Sequence, residues 1–251
     1  MAEVRPSSLL RLLLALGCAA LATAAERIAV CAEDDFYPYS ALRGDKPVGM
    51  TVDLVRAAFR RADIEVEFQP SAYNRCLTLV KRGQTVATFD TARTSEREQD
   101  YLWPSEPLTT VSVQIWGRAG MNYGRIGYQE LHGRSVGVVT GYEYPPQLWQ
   151  EKEISKVESR SELVNLKNVA IGRLDFTPVD AKVAAALMAA NGLQDKLESY
   201  GTLTEFDLYM VFSRRHPDAT RLMERFETGF KRLRESGEYR RIHDAWPPKR
   251  R

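Results

Sequence analysis

An α/β fold of two lobes facing each other across a cleft is what this sequence predicts, on three observations. Apolar runs of strand length alternate with helix-period segments from Arg27 to Phe89. The same alternation restarts after Trp116, and a last amphipathic segment sets Leu222, Phe226, Phe230 and Leu233 on one stripe before Gly237. The repeated strand-helix-strand order argues for mostly parallel sheets, with ligands held beyond the carboxyl ends of the strands.

Taken in order, Arg27 to Ala32 is a β-branched strand, followed by the acidic and aromatic loop Glu33-Asp34-Asp35-Phe36-Tyr37-Pro38-Tyr39. Lys46 to Met50 turns the chain into a helix at Thr51 with Val52, Val55 and Phe59 at helical spacing. Ile64 to Phe68 alternates as a strand, a helix runs from Ala72 to its stop at Gly83, and Val86 to Phe89 is the next strand. Val111 to Trp116 is a strand, after which the pattern begins again. Ser135 to Thr140 reads as a strand, Pro145 and Pro146 favour a helix start, and Asn165 to Ile171 reads as a helix. Leu174 to Pro178 is a strand, Ala181 to Ala190 a helix closed by Gly192, and Leu208 to Phe212 one more apolar strand.

The N-terminus carries Arg5 and Arg11, an apolar stretch from Leu12 to Leu21 and the small-residue run Ala22-Thr23-Ala24-Ala25, which reads as a cleaved export signal over residues 1–25. Cys18 behind Leu16-Gly17 offers a competing lipidation pattern, weakened by Ala15 three residues before it. The mature protein is therefore expected to be soluble and exported. The formal charge is +2 with acids and bases interspersed, which excludes a single-sign surface for nucleic acid or anionic lipid. The basic end Lys249-Arg250-Arg251 reads as a solvated tail. Cys31 and Cys76 remain after cleavage, either bridged or as two buried thiols.

Arg97 ends the run Val86-Ala-Thr-Phe-Asp-Thr-Ala-Arg-Thr-Ser-Glu-Arg, where a strand passes through small polar residues to a guanidinium. Such an arrangement grips a small anion-bearing solute at the mouth of an α/β sheet, or else Arg97 pairs on the surface with Glu96, Glu98 or Asp100. Sharper catalytic signatures are missing from the sequence. There is no Gly-x-Ser-x-Gly elbow or phosphate loop, and His132, His216 and His243 are too far apart for a metal pair. Neither a cofactor nor a metal is expected.

Several segments, in this order, resemble the extracellular solute-binding proteins of family 3, the amino-acid-type periplasmic receptors of ABC importers. They are Phe36-Tyr37-Pro38-Tyr39, Pro47-Val48-Gly49-Met50-Thr51-Val52-Asp53-Leu54, Thr94-Ser95-Glu96-Arg97, Gly137-Val138-Val139-Thr140-Gly141, Gly172-Arg173-Leu174-Asp175 and Leu233-Arg234-Glu235-Ser236-Gly237-Glu238-Tyr239. The resemblance implies the type II periplasmic-binding-protein fold, two α/β sheets joined by two hinge crossings near Gln114 and Leu208. It places residues 26–112 and 208–251 in one lobe and 113–207 in the other. Hinged lobes of this kind close on a ligand.

The resemblance further implies that Arg97 and the loop Thr140-Gly141-Tyr142 hold a ligand carboxylate from opposite lobes, helped by unpaired N–H groups at a helix start. Asp180 falls where the family keeps an acid for the ligand's ammonium, and it equally suits the N-cap of the following helix. Phe36 and Tyr73 align with aromatic walls. Asp90 and Ala92 stand where glycine and threonine are usual, and Tyr142 replaces a small hydroxyl residue. If Asp90 faces the cleft, two acids there favour a ligand with more than one positive centre; if it pairs with Arg75 or Arg93, it only shapes the wall. The expected role is capture of a small polar, amino-acid-like solute, a cation or carboxylate, by a monomer that hands it to an ABC permease. A membrane sensor is the alternative partner. A dehydratase of the same fold, using Asp90, Glu143 or Asp180 as its acid, is the enzymatic alternative.

Overall fold

The computed structural model describes residues 25–246, so the export signal with Cys18 and the basic end Lys249-Arg250-Arg251 lie outside the described residues. The chain begins with β1 (Glu26–Glu33), β2 (Asp35–Phe36), β3 (Ser40–Arg43) and β4 (Lys46–Val48), then α1 (Met50–Arg60), β5 (Ile64–Ser71), α2 (Tyr73–Lys81), β6 (Ala87–Ala92) and β7 (Tyr101–Leu102). β8 (Thr109–Arg118) leads to β9 (Ser135–Val139), α3 (Pro146–Gln150), β10 (Ser155–Ser159), α4 (Glu162–Ala170), β11 (Thr177–Asp180) and α5 (Ala181–Asn191). The chain returns along β12 (Leu197–Ser213) and ends in α6 (Ala219–Glu235) and α7 (Glu238–Ala245).

The expectation of two mostly parallel sheets needs correction. β1 pairs in parallel with β5 and β6, but β12 runs antiparallel to β6, β7 and β8, and β11 runs antiparallel to β8. One mixed ladder in the order β11-β8-β12-β6-β1-β5 therefore carries both lobes. The physical reason is the length of β12. Its early part pairs with β8 and its late part with β6, so a single strand bonds to the sheet of each lobe. β9 and β10 form a separate parallel pair, joined to the rest through the bridge between Val136 and Phe176.

The helices form where the apolar period requires. Val52, Val55 and Phe59 are buried on α1, as their spacing predicts. On α6 the stripe Leu222, Phe226, Phe230 and Leu233 is buried against the same core, each side chain contributing about 1.5–3 kcal/mol. α1 and α6 meet closely at Gly229, where a Cβ would come within 2.0 Å of the Ala58 carbonyl oxygen. α5 is closed by Gly192 at φ 65°, a left-handed stop that glycine adopts without steric cost. Cys31 on β1 and Cys76 on α2 are joined by a disulfide with Cα atoms 5.4 Å apart. No helix among the described residues is long and apolar enough to cross a membrane.

Candidate functional site

A cavity lies between the lobes, backed by Val111 and Val113 of β8 and Phe206 and Leu208 of β12. β8 and β12 pair with each other and, on their outer sides, with β11 and β6, so they link the two ends of the sheet beside this space. The first lobe contributes Glu33 and Phe36, Tyr73 at the first turn of α2, and Asp90 and Ala92 from β6. The second contributes Tyr142, Glu143 and Tyr144 from the loop after β9, Glu162 at the start of α4, and Pro178, Val179 and Asp180 from β11. Five acidic residues thus line one cavity that, among the described residues, no Lys, Arg or His lines.

Four of these acids, Glu33, Asp90, Glu162 and Asp180, are buried, and the Glu143 side chain is largely so. Removal from water disfavours the charged form, and burial raises the pKa of all five. Asp90 is pushed up to about 7 and Glu162 to about 8, burial being the largest cause in each case. The Glu33 carboxyl accepts the Tyr142 hydroxyl across the cleft. Asp90 pairs with neither Arg75 nor Arg93: its Oδ2 accepts from Thr51 Oγ1 at 2.7 Å, and its Oδ1 is buried without a partner among the described residues. Arg93 goes instead to Glu98. Asp90 holds φ 63°, the left-handed region that glycine enters freely and aspartate tolerates better than most residues.

Arg97 lies in the turn after β6, outside this cavity, where it lines a groove with Asn74, Lys81, Glu96 and Asp100. It pairs with none of Glu96, Glu98 or Asp100; its Nη1 sits 2.7 Å from Glu143 Oε1 of the other lobe. The same oxygen accepts the Tyr73 hydroxyl at 2.7 Å, and the guanidinium lies 5.6 Å from the centre of the Tyr73 ring. The carboxylate that meets Arg97 is therefore the protein's own.

Thr140 and Gly141 stay outside the cavity lining. The Thr140 hydroxyl donates to Glu158 at 3.0 Å, its N–H bonds to Ser159, and the next helix, α3, starts only at Pro146. No helix start is presented at Thr140, because Pro145 and Pro146 delay it. Gly141, at φ 82°, lets the lobes touch: a Cβ there would come within 2.0 Å of Asn74 Nδ2, and Asn74 also donates to the Thr140 carbonyl at 3.3 Å.

Asp180 caps α5, accepting from the N–H groups of Lys182 at 2.9 Å and Val183 at 3.1 Å. It also accepts the Tyr39 hydroxyl at 3.1 Å and the Ser112 N–H at 3.0 Å, so four donors already share a carboxylate that lines the cavity. Phe36, Tyr73 and Tyr142 form an aromatic cluster, with Tyr142 packed edge-on at 6.2 Å from Phe36 and 5.5 Å from Tyr73.

Sequence reasoning missed Glu33 and Glu162, and named Glu143 only as a candidate proton donor. Glu33 opens an acidic run that resembles a solvated loop, and it shares its face of β1 with Arg27 and Ala29 rather than with Ile28 and Val30, so no apolar period marks it as buried. Glu162 follows the N-cap Ser161 and looks like an ordinary first-turn acid. No group of His, Cys, Asp and Glu among the described residues is arranged to hold a metal ion.

Comparison with known proteins gives a consistent picture. The family profile described as bacterial extracellular solute-binding proteins, family 3, matches residues 28–249. An arginine-binding periplasmic protein of Mannheimia haemolytica is 23% identical over 239 residues, covering 94% of this chain and 96% of the relative. Among solved structures, a histidine kinase sensor domain with similarity to periplasmic binding proteins superposes with TM-score 0.79 at 22% identity, over 90% of this chain and 97% of that one. An ancestral arginine-binding protein bound to arginine gives TM-score 0.77 at 19% identity, over 88% and 98%.

Proposed function

Given that this chain belongs to the bacterial extracellular solute-binding proteins of family 3, we propose that it captures a small, polar, positively charged organic solute between its lobes and delivers it to an ABC importer. The observation that carries the charge assignment is the cavity lined by five acidic residues and, among the described residues, by no basic one. Buried carboxylates without a counter-charge cost several kcal/mol each, and a cation in their midst offsets that cost. The arginine-binding relative is in keeping with this sign of charge.

In this reading residues 26–112, with the chain from 208 onward, form one lobe and 113–207 the other, residues 1–25 direct export, and the molecule acts in the periplasm without catalysis. Phe36, Tyr73 and Tyr142 supply the walls.

A thermal-shift screen of amino acids, amines and small dicarboxylates tests the proposal. Organic cations at a thousandfold excess over Kd stabilise the protein by about 4 kcal/mol, raising Tm by roughly 10 °C. Glutamate and dicarboxylates leave Tm where it is. Stabilisation by anions alone, or by no member of the panel, contradicts the proposal.

A further inference from the structure

We infer that the solute is an organic cation with two positive groups and no carboxylate, of the α,ω-diamine or guanidinoalkyl-amine kind, an inference that rests on the solute-binding reading above. The first observation is the occupied guanidinium. Arg97 spends its charge on Glu143 at 2.7 Å, and Tyr73 donates to the same carboxylate. A ligand inside the cavity meets Glu143 rather than Arg97, because Glu143 lines the cavity and Arg97 does not. An incoming α-carboxylate would have to expel Glu143 from both partners and would bring a further anion among five acids.

Donors for such a carboxylate are also scarce. The hydroxyls of Tyr73 and Tyr142 are committed to Glu143 and Glu33, and the Tyr144 hydroxyl accepts from the Val139 N–H at 3.0 Å, which leaves it a single uncommitted hydrogen.

The second, independent observation is an acceptor left open. Asp90 is 4% exposed, lines the cavity, and its Oδ1 has no hydrogen-bond partner. Native proteins seldom leave such an atom orphaned, so a donor brought by a ligand is the natural complement. Glu162, 6% exposed, lines the same cavity from the opposite lobe. One acid on each lobe, with the aromatic cluster of Phe36, Tyr73 and Tyr142 beside them, suits two cationic ends joined by a methylene chain. Cation bridging of the two lobes would favour closure, since the ligand then binds the closed arrangement better than the open one.

Matched pairs differing only by the carboxylate test this directly: agmatine against arginine, and cadaverine against lysine, titrated calorimetrically into the wild-type protein and into Glu143→Ala. In the wild type the decarboxylated member of each pair binds at least about tenfold more tightly. In Glu143→Ala, Arg97 is freed, arginine gains at least about tenfold and agmatine loses affinity. Arginine or lysine binding the wild type as well as its decarboxylated partner overturns the inference while leaving cation capture intact. Absence of binding by all four at millimolar concentration also overturns it. Unchanged arginine affinity in a folded Glu143→Ala variant refutes the role given to Glu143.

Discussion

Asp90→Asn raises the unfolding temperature of the ligand-free protein at pH 8 and weakens binding of a cationic solute by about tenfold or more. Both effects come from one atom. Asp90 is buried, its Oδ1 has no partner, and its pKa is pushed up to about 7 by removal from water, with the Thr51 hydrogen bond opposing. A carboxyl group whose pKa is higher in the folded than in the unfolded state binds more protons when folded. Between the ordinary carboxylate range and pH 7 the folded state therefore loses stability as pH rises. The cost is absent near pH 4 and fully present by pH 8.

Asparagine keeps the shape and an acceptor for Thr51 but carries no charge, so the gain is about 4 kcal/mol, roughly 10 °C, at pH 8 and close to nothing at pH 4. Glu33, Glu143, Glu162 and Asp180 line the same cavity, Tyr73 and Tyr142 reach two of them, and Arg97 faces Glu143, so the variant keeps part of the wild-type decline with pH. Thermal melts at the two pH values check this. Equal destabilisation at both would assign Asp90 a purely structural role.

Replacing both Cys31 and Cys76 by alanine lowers Tm by roughly 10 °C. The disulfide closes a loop with a sequence separation of 45, and loop-closure entropy gives about 4 kcal/mol for such a length. Its position also matters for the site. Cys31 lies on β1 shortly before Glu33, and Cys76 lies on α2 one turn after Tyr73, so the bridge holds together the two elements that present these cavity residues. A melt of the double variant beside the oxidised wild type, each with and without reductant, measures the contribution. Equal Tm values in all four samples would mean that the bridge adds nothing to stability.

Much of the fold was legible because apolar periodicity is dictated by the core. Val52, Val55 and Phe59 on α1 and the stripe on α6 are buried as their spacing demands. What escaped were segments that the core does not dictate. β12 was read only from Leu208, since its first part, Leu197 to Asp207, joins the lobes with partly exposed polar residues on both faces. β10 is a largely exposed two-strand partner whose Ser-Lys-Val-Glu-Ser sequence carries no strand period. α7 follows Gly237 with no buried residue to mark it.

At the site, the sequence singled out Asp90, Asp180 and the aromatic residues through family resemblance, with the N-cap of the following helix as the other reading of Asp180. It could not show that Glu143 reaches across the cleft to Arg97. That pairing depends on how two lobes meet, and residues distant in the chain leave no local pattern.

The central claim is that the acid-lined cavity holds a cation while Glu143 keeps Arg97. A crystal structure of the protein with agmatine tests it most directly. The expected result is a ligand nitrogen within about 3 Å of Asp90 Oδ1, with the pair between Arg97 and Glu143 intact. Agmatine seated outside the cavity, or Glu143 swung away with Arg97 exposed to the ligand, would contradict it.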